Sequence, residues 1–159
     1  MKSYSYILVL AVLFSSQLPA QVPWSQFGAE ECIPSWVHQV FNDLHIEKKY
    51  PFTYHVNPFY LRGDFNGDGK PDVAILVREA KTKKVGIAIC HFGENKVYIV
   101  GAGKTYDDGR HDSFNWMDAW VVRPGREGKE VISTWRTESS GGVLSWNGKE
   151  YVWKSFPYD

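Results

Sequence analysis

A chain of 159 residues is long enough for one domain with a real core, and its 43% hydrophobic and 23% charged residues are globular proportions. The formal charge is zero, so no field of one sign draws in nucleic acid or an anionic membrane, and nucleic acid is not an expected partner. An aromatic share of 16%, including 7 Trp, favours a β-rich fold, because aromatic side chains fit half-buried pleated surfaces.

The first twenty residues read as a signal peptide. Met1 and Lys2 give a short positive start, and the apolar run YILVLAVLF (6–14) is too short to span a bilayer as a mature helix. Ala20 offers a small residue for cleavage, although Leu18 at the −3 place is larger than such sites prefer. No Cys closes the apolar run, so a lipid anchor is not indicated. The expectation is 1–20 removed and 21–159 exported as a single β-rich domain, to periplasm, cell surface or medium, with no membrane span in the mature chain. In an oxidising compartment Cys32 and Cys90 are expected to pair, a link that would stabilise by about 4 kcal/mol on the chain-entropy account. Two separate buried thiols are the alternative.

Residues 21–32 read as an irregular lead-in, and 33–49 as a helix. Trp36, Val37, Val40, Phe41 and Leu44 fall on one face, Ser35 suits the start, Lys48 and Lys49 suit the end, and Pro51 stops it. Beyond Pro51 the period changes to two. Strands are predicted over 58–63, 72–79, 84–92, 96–101, 116–123, 130–136, 142–147 and 150–156, with turn chemistry between them. Asn147-Gly148 is the sharpest hairpin signal. The fold class expected is mainly β (α+β): an antiparallel meander sheet of about seven to eight strands with one N-terminal helix.

Between the first two strands lies the segment GDFNGDGKPDVAILV (63–77). Asp64, Asn66, Asp68 and Asp72 occupy the first, third, fifth and ninth places of a curl that Gly67 and Gly69 permit, and the Lys70 carbonyl supplies the seventh. Alternate positions on a curled loop point toward one centre, and three carboxylates converge there only if a cation neutralises them. An all-oxygen, flexible donor set favours Ca2+ over magnesium, and the missing nitrogen and sulfur ligands disfavour zinc. An EF-hand is excluded, since Ile75 stands at the twelfth place and the flanks read as strands. This stretch resembles the calcium loop of the FG-GAP/VCBS-type repeats of integrin α-chains and many exported bacterial proteins. The resemblance implies a calcium loop joining two antiparallel strands, with Asp64, Asn66, Asp68, Lys70 through its backbone, and Asp72 as ligands. It covers about fifteen residues in one copy, without the tandem repeats that build propeller blades.

The second polar concentration is YDDGRHDSFNWMDAW (106–120), a candidate recognition loop carrying Asp107, Asp108, His111, Asp112 and Trp116. The spacing of its acidic residues matches no ligand pattern, and Asp107-Asp108-Gly109 also reads as a plain surface turn. WMDAWVV places Trp116, Asp118, Trp120 and Val122 on one strand face, with Arg123 or Arg136 as partner for Asp118. Ser139 and Ser140 lack the G-x-S-x-G context of a nucleophile. SGGVL (140–144) is similar to the serine-glycine motif of bacterial lysozyme inhibitors, with Leu144 where that motif has Tyr. Together these features describe an exported calcium-binding protein with a structural ion and a protein or glycan partner, read first as a non-catalytic binding or interaction module, with enzyme activity left open. The alternatives are a periplasmic inhibitor or immunity protein for a secreted hydrolase, and a calcium-assisted hydrolase.

Overall fold

The structure, a computed structural model, describes residues 24–107 and 109–156; the expected signal peptide lies outside the described residues. Among the described residues, two helices, α1 (Trp24–Glu31) and α2 (Ser35–Asp43), precede eight strands: β1 (Tyr60–Gly63), β2 (Asp72–Arg78), β3 (Val85–Cys90), β4 (Val97–Gly101), β5 (Ala119–Pro124), β6 (Glu130–Trp135), β7 (Gly141–Trp146) and β8 (Tyr151–Ser155). The protein is mainly β, as its periodicity predicts. The strands form two antiparallel meanders of four, β1-β2-β3-β4 and β5-β6-β7-β8, and not one continuous sheet. The segment 102–118 carries the chain from one to the other.

Alternation sorts the side chains into two apolar layers. Leu61, Ala74, Leu76, Ile87 and Ile89 of the first sheet meet Trp120, Ile132, Leu144 and Trp153 of the second. On the opposite face of the first sheet, Val73, Ile75, Val77, Ala88 and Cys90 pack against Ile33, Val37, Phe41 and Tyr50. The order of layers is therefore helix, sheet, sheet. Every residue of β3 is buried, and so is all of β2 except Arg78. That is why their sequences, DVAILVR and VGIAIC, read as nearly unbroken apolar runs.

The predicted helix ends six residues early, at Asp43, for a reason visible in its backbone. His45 takes φ 53°, its N–H bonds to the Asn42 carbonyl, and the Ile46 N–H reaches back to the Phe41 carbonyl at 3.1 Å. This is a Schellman stop with histidine in the left-handed place usually given to glycine. Pro34 precedes the first turn, and Ser35 makes no side-chain cap. The lead-in holds α1, which the helix-period reading of 33–49 left out. In the β7–β8 hairpin the turn is centred one residue later than Asn147-Gly148. Gly148, at φ 98°, takes the first central position, and the Asn147 side chain accepts the Lys149 and Glu150 N–H groups.

The predicted disulfide is absent. Cys32 is free and exposed after α1, and Cys90 is free and buried in β3. Cys90 points into the helix-facing layer, where burial, and then the charge of Asp72, pushes its thiol up to about 12. It behaves there as a small apolar side chain. Asp118 lies ahead of β5, off the strand face, and accepts the Thr137 N–H at 2.9 Å and hydroxyl at 3.1 Å in place of an arginine. Trp120 does face the core, its indole N–H donating to the Pro58 carbonyl at 2.7 Å.

Candidate functional site

The acidic loop 64–72 joins β1 to β2, which pair antiparallel with Gly63 opposite Asp72. Its curl is drawn by its own side chains. Asp64 Oδ1 accepts the N–H groups of Gly67 at 2.8 Å and Asp68 at 3.0 Å, while its Oδ2 accepts Gly69 at 2.9 Å. Asn66 Oδ1 accepts from Asp68, and Asp68 Oδ1 from Lys70, each at 2.9 Å. Two glycines make the curl possible, Gly67 at φ 82° and Gly69 at φ 79°. At Gly67 a Cβ would also meet the Lys129 side chain at 2.7 Å.

Of the five residues expected to supply ligands, Asp68 and Lys70 are exposed, Asp64 and Asn66 are half-buried, and Asp72 is set apart from them. Asp72 is fully buried. Its Oδ2 accepts the N–H groups of Phe65 at 3.0 Å and Asn66 at 3.2 Å, and its Oδ1 accepts Phe92 at 3.0 Å. Three of its about four acceptor positions are used. Burial raises its carboxyl above the ordinary range, and the backbone N–H groups and His91 pull it only partly back. Asp72 is the keystone tying both ends of the loop to the turn after β3. In the remaining set, Asp64, Asn66, Asp68 and the Lys70 carbonyl are all oxygen donors, and the nearest compensating charge is Lys70 Nζ, 3.8 Å from Asp68 Oδ2. These donors fit calcium in kind. Among the described residues, no three His, Cys, Asp or Glu side chains converge as a preformed metal centre.

Two neighbours of the loop were not legible in the linear sequence. Glu130 of β6 accepts the Asp64 N–H on its Oε2 at 2.7 Å and returns its own N–H to the Asp64 carbonyl at 2.9 Å. Lys129 lies across Gly67. The root of the loop is thus clasped by the second sheet, 66 residues away along the chain. A second buried polar group stands behind Asp72. His91 Nε2 lies 2.7 Å from the Tyr151 hydroxyl and Nδ1 lies 3.3 Å from Glu94, with the Tyr98 and Trp146 rings at 4.7 and 5.0 Å. Burial raises the Tyr151 phenol above its ordinary range.

The candidate recognition loop is held from below by aromatics and above by local ion pairs. Tyr106 stacks on Phe114 at 4.4 Å, its hydroxyl donates to the Ser113 carbonyl, and the Trp116 indole donates to that hydroxyl at 3.1 Å. Asp107 pairs with Arg110 at 3.4 Å and with His111 at 3.6 Å, and Asp112 with Lys84. Asp108 lies outside the described residues. Asp107 and Tyr106 share a groove of about 460 Å³ with Tyr98 of β4 and Tyr151 and Trp153 of β8, the free edges of the two sheets. Comparison with protein-family models, curated proteins and solved structures found no match to this chain.

Proposed function

We propose that this is an exported, non-catalytic binding module in which a calcium ion at the 64–72 loop clasps the two sheets together. Asp64, Asn66, Asp68 and the Lys70 carbonyl would hold the ion, which supplies charge neutralisation and no chemistry of its own. The observation that carries the reading is the reciprocal pair of bonds between Asp64 and Glu130. Anything that stiffens Asp64 is transmitted directly to β6, so an ion held at an exposed loop would stabilise the whole fold.

The aromatic groove between β4 and β8 is of a kind suited to a protein or glycan partner. Thermal unfolding of the full chain in calcium and in chelator tests the ion. Extracellular-type sites bind at roughly 10⁻⁴–10⁻³ M, so calcium near 10 mM should add about 2 kcal/mol. For a domain of this size that is a rise of about 5 °C in Tm. The Asp68→Ala variant should show no calcium-dependent rise, and magnesium should substitute poorly.

A further inference from the structure

The strands at the margins of the two sheets differ in one respect. β1 carries the exposed Arg62, β5 the exposed Arg123 and Pro124, and β8 the exposed Lys154, residues that discourage a further strand from pairing. β4, VYIVG, carries no charge and no proline, and its Val97, Tyr98, Ile99 and Val100 are half-exposed. Among the described residues β4 pairs with β3 alone, apart from a bridge between Gly101 and Lys104 just past its end. The ladder fixes which of its amides are free. The Glu79 N–H bonds the Lys84 carbonyl, and alternation from there turns Ile87 and Ile89 toward β4, opposite Val100 and Tyr98. The bond from the Ala102 N–H to the Val85 carbonyl keeps the same phase. Tyr98 and Val100 therefore bond β3, and the backbone N–H and C=O groups of Val97 and Ile99 point outward, into the groove between β4 and β8.

The rings along this groove are already covered. Tyr106 stacks on Phe114, Tyr151 and Trp153 are buried, and Tyr98 lies between His91 and the Lys96 ammonium, 4.2 Å from its centroid. Open backbone groups, not open ring faces, are what the groove offers, and a strand is what uses them. We propose that β4 pairs antiparallel with β4 of a second copy of this chain, joining the two first sheets across a two-fold axis. The edge is complementary to itself. With Tyr98 opposite its own counterpart, Val97 of each copy faces Ile99 of the other, and two bonds form at each such pair. This register uses the free amides of Val97 and Ile99 and spares the Gly101 carbonyl, which already accepts the Lys104 N–H. The charges agree. Tyr98, early in β4, meets Tyr151 at 5.8 Å, and Tyr106, stacked on the Phe114 that adjoins Gly101, meets Trp153 at 5.5 Å. Glu150 therefore stands at the start of β4 and Lys104 past its end, both exposed, and antiparallel pairing brings each toward its opposite. Asp107 is held by Arg110 and His111. The proposal rests on the binding-module reading only in taking this groove as its surface, and it uses no residue of the calcium loop.

Sedimentation equilibrium of the wild-type chain tests the pairing. The expected result is a monomer–dimer equilibrium with Kd below about 100 µM. Ile99→Pro removes an N–H that faces away from β3 and should weaken the dimer about tenfold or more, as should Val97→Lys, which gives β4 the charge its fellow edges carry. Cross-linking tests the register in a Cys32→Ser background. Tyr98→Cys should oxidise to a covalent dimer, because facing residues of a non-bonded pair lie about 4.5 Å apart at Cα, within disulfide reach. Val100→Cys should not, since its counterpart stands four residues along the strand, about 13 Å away. A chain monomeric up to about 1 mM, a dimer that both edge variants leave intact, or cross-linking at Val100→Cys in place of Tyr98→Cys would overturn the proposal. A monomer that instead binds an alternating Val-Thr heptapeptide saturably, and loses it in Ile99→Pro, would overturn self-pairing while leaving the binding module standing.

Discussion

The two sheets have the same size and connectivity but different environments. The first is covered by helices on one face and by the second sheet on the other, so alternate residues of β2 and β3 all end in apolar layers. The second has only one covered face. Along β5 to β8, Trp120, Ile132, Leu144 and Trp153 point inward, while Val121, Val143 and Val152 are half-exposed and Arg123 and Lys154 are exposed. The first sheet is therefore the stability centre, and the second sheet is held to it by the shared apolar layer, in which Trp120 and Phe65 are buried, and by the Asp64–Glu130 clasp. The exposed acidic loop and the β4–β8 groove lie at the margins of this stack.

The contrast is sharpest under truncation. Ile75→Ala, at the centre of the first sheet, should cost about 4 kcal/mol in denaturant unfolding, whereas Val143→Ala on the open face of the second should cost under about 1 kcal/mol. Similar losses at both positions would erase the distinction. Next in size, Asp72→Ala leaves three backbone N–H groups without their acceptor and should cost about 3 kcal/mol, with or without calcium. A loss at Asp72 that appears only when calcium is present would make it an ion ligand and not a keystone. Gly67→Ala, which forces a side chain into φ 82° and against Lys129, should cost about 1–2 kcal/mol in the same assay. Thiol labelling then separates surface from core. One thiol per native chain, Cys32, should react, and both should react after denaturation; a native chain with no reactive thiol would restore the disulfide.

Most of the strands were legible because punctuation and period agree. Each predicted run overlaps an observed strand. The division into two sheets was not legible, because a meander's period is the same whether its fourth and fifth strands pair or part. The helix stop at His45 was missed because histidine carries no strong signal for positive φ. The acidic loop was legible as a curl between antiparallel strands, since its glycines and alternating oxygens are local in sequence. What its ninth residue does was not. Only the fold brings the Phe92 N–H onto Asp72, and only the fold brings Glu130 onto Asp64. The disulfide expectation failed for the same reason: compartment and count say nothing about where the Cys90 side chain points.

The clasp is tested most directly by calcium-dependent thermal unfolding of the wild type beside Asp68→Ala and Glu130→Ala. Calcium should raise the wild-type midpoint by about 5 °C, give no rise in Asp68→Ala, and give a smaller rise in Glu130→Ala, which removes the acceptor of the Asp64 N–H and couples the loop less firmly to the second sheet. A wild-type midpoint that ignores calcium, or an Asp68→Ala chain that responds to it fully, would contradict the account.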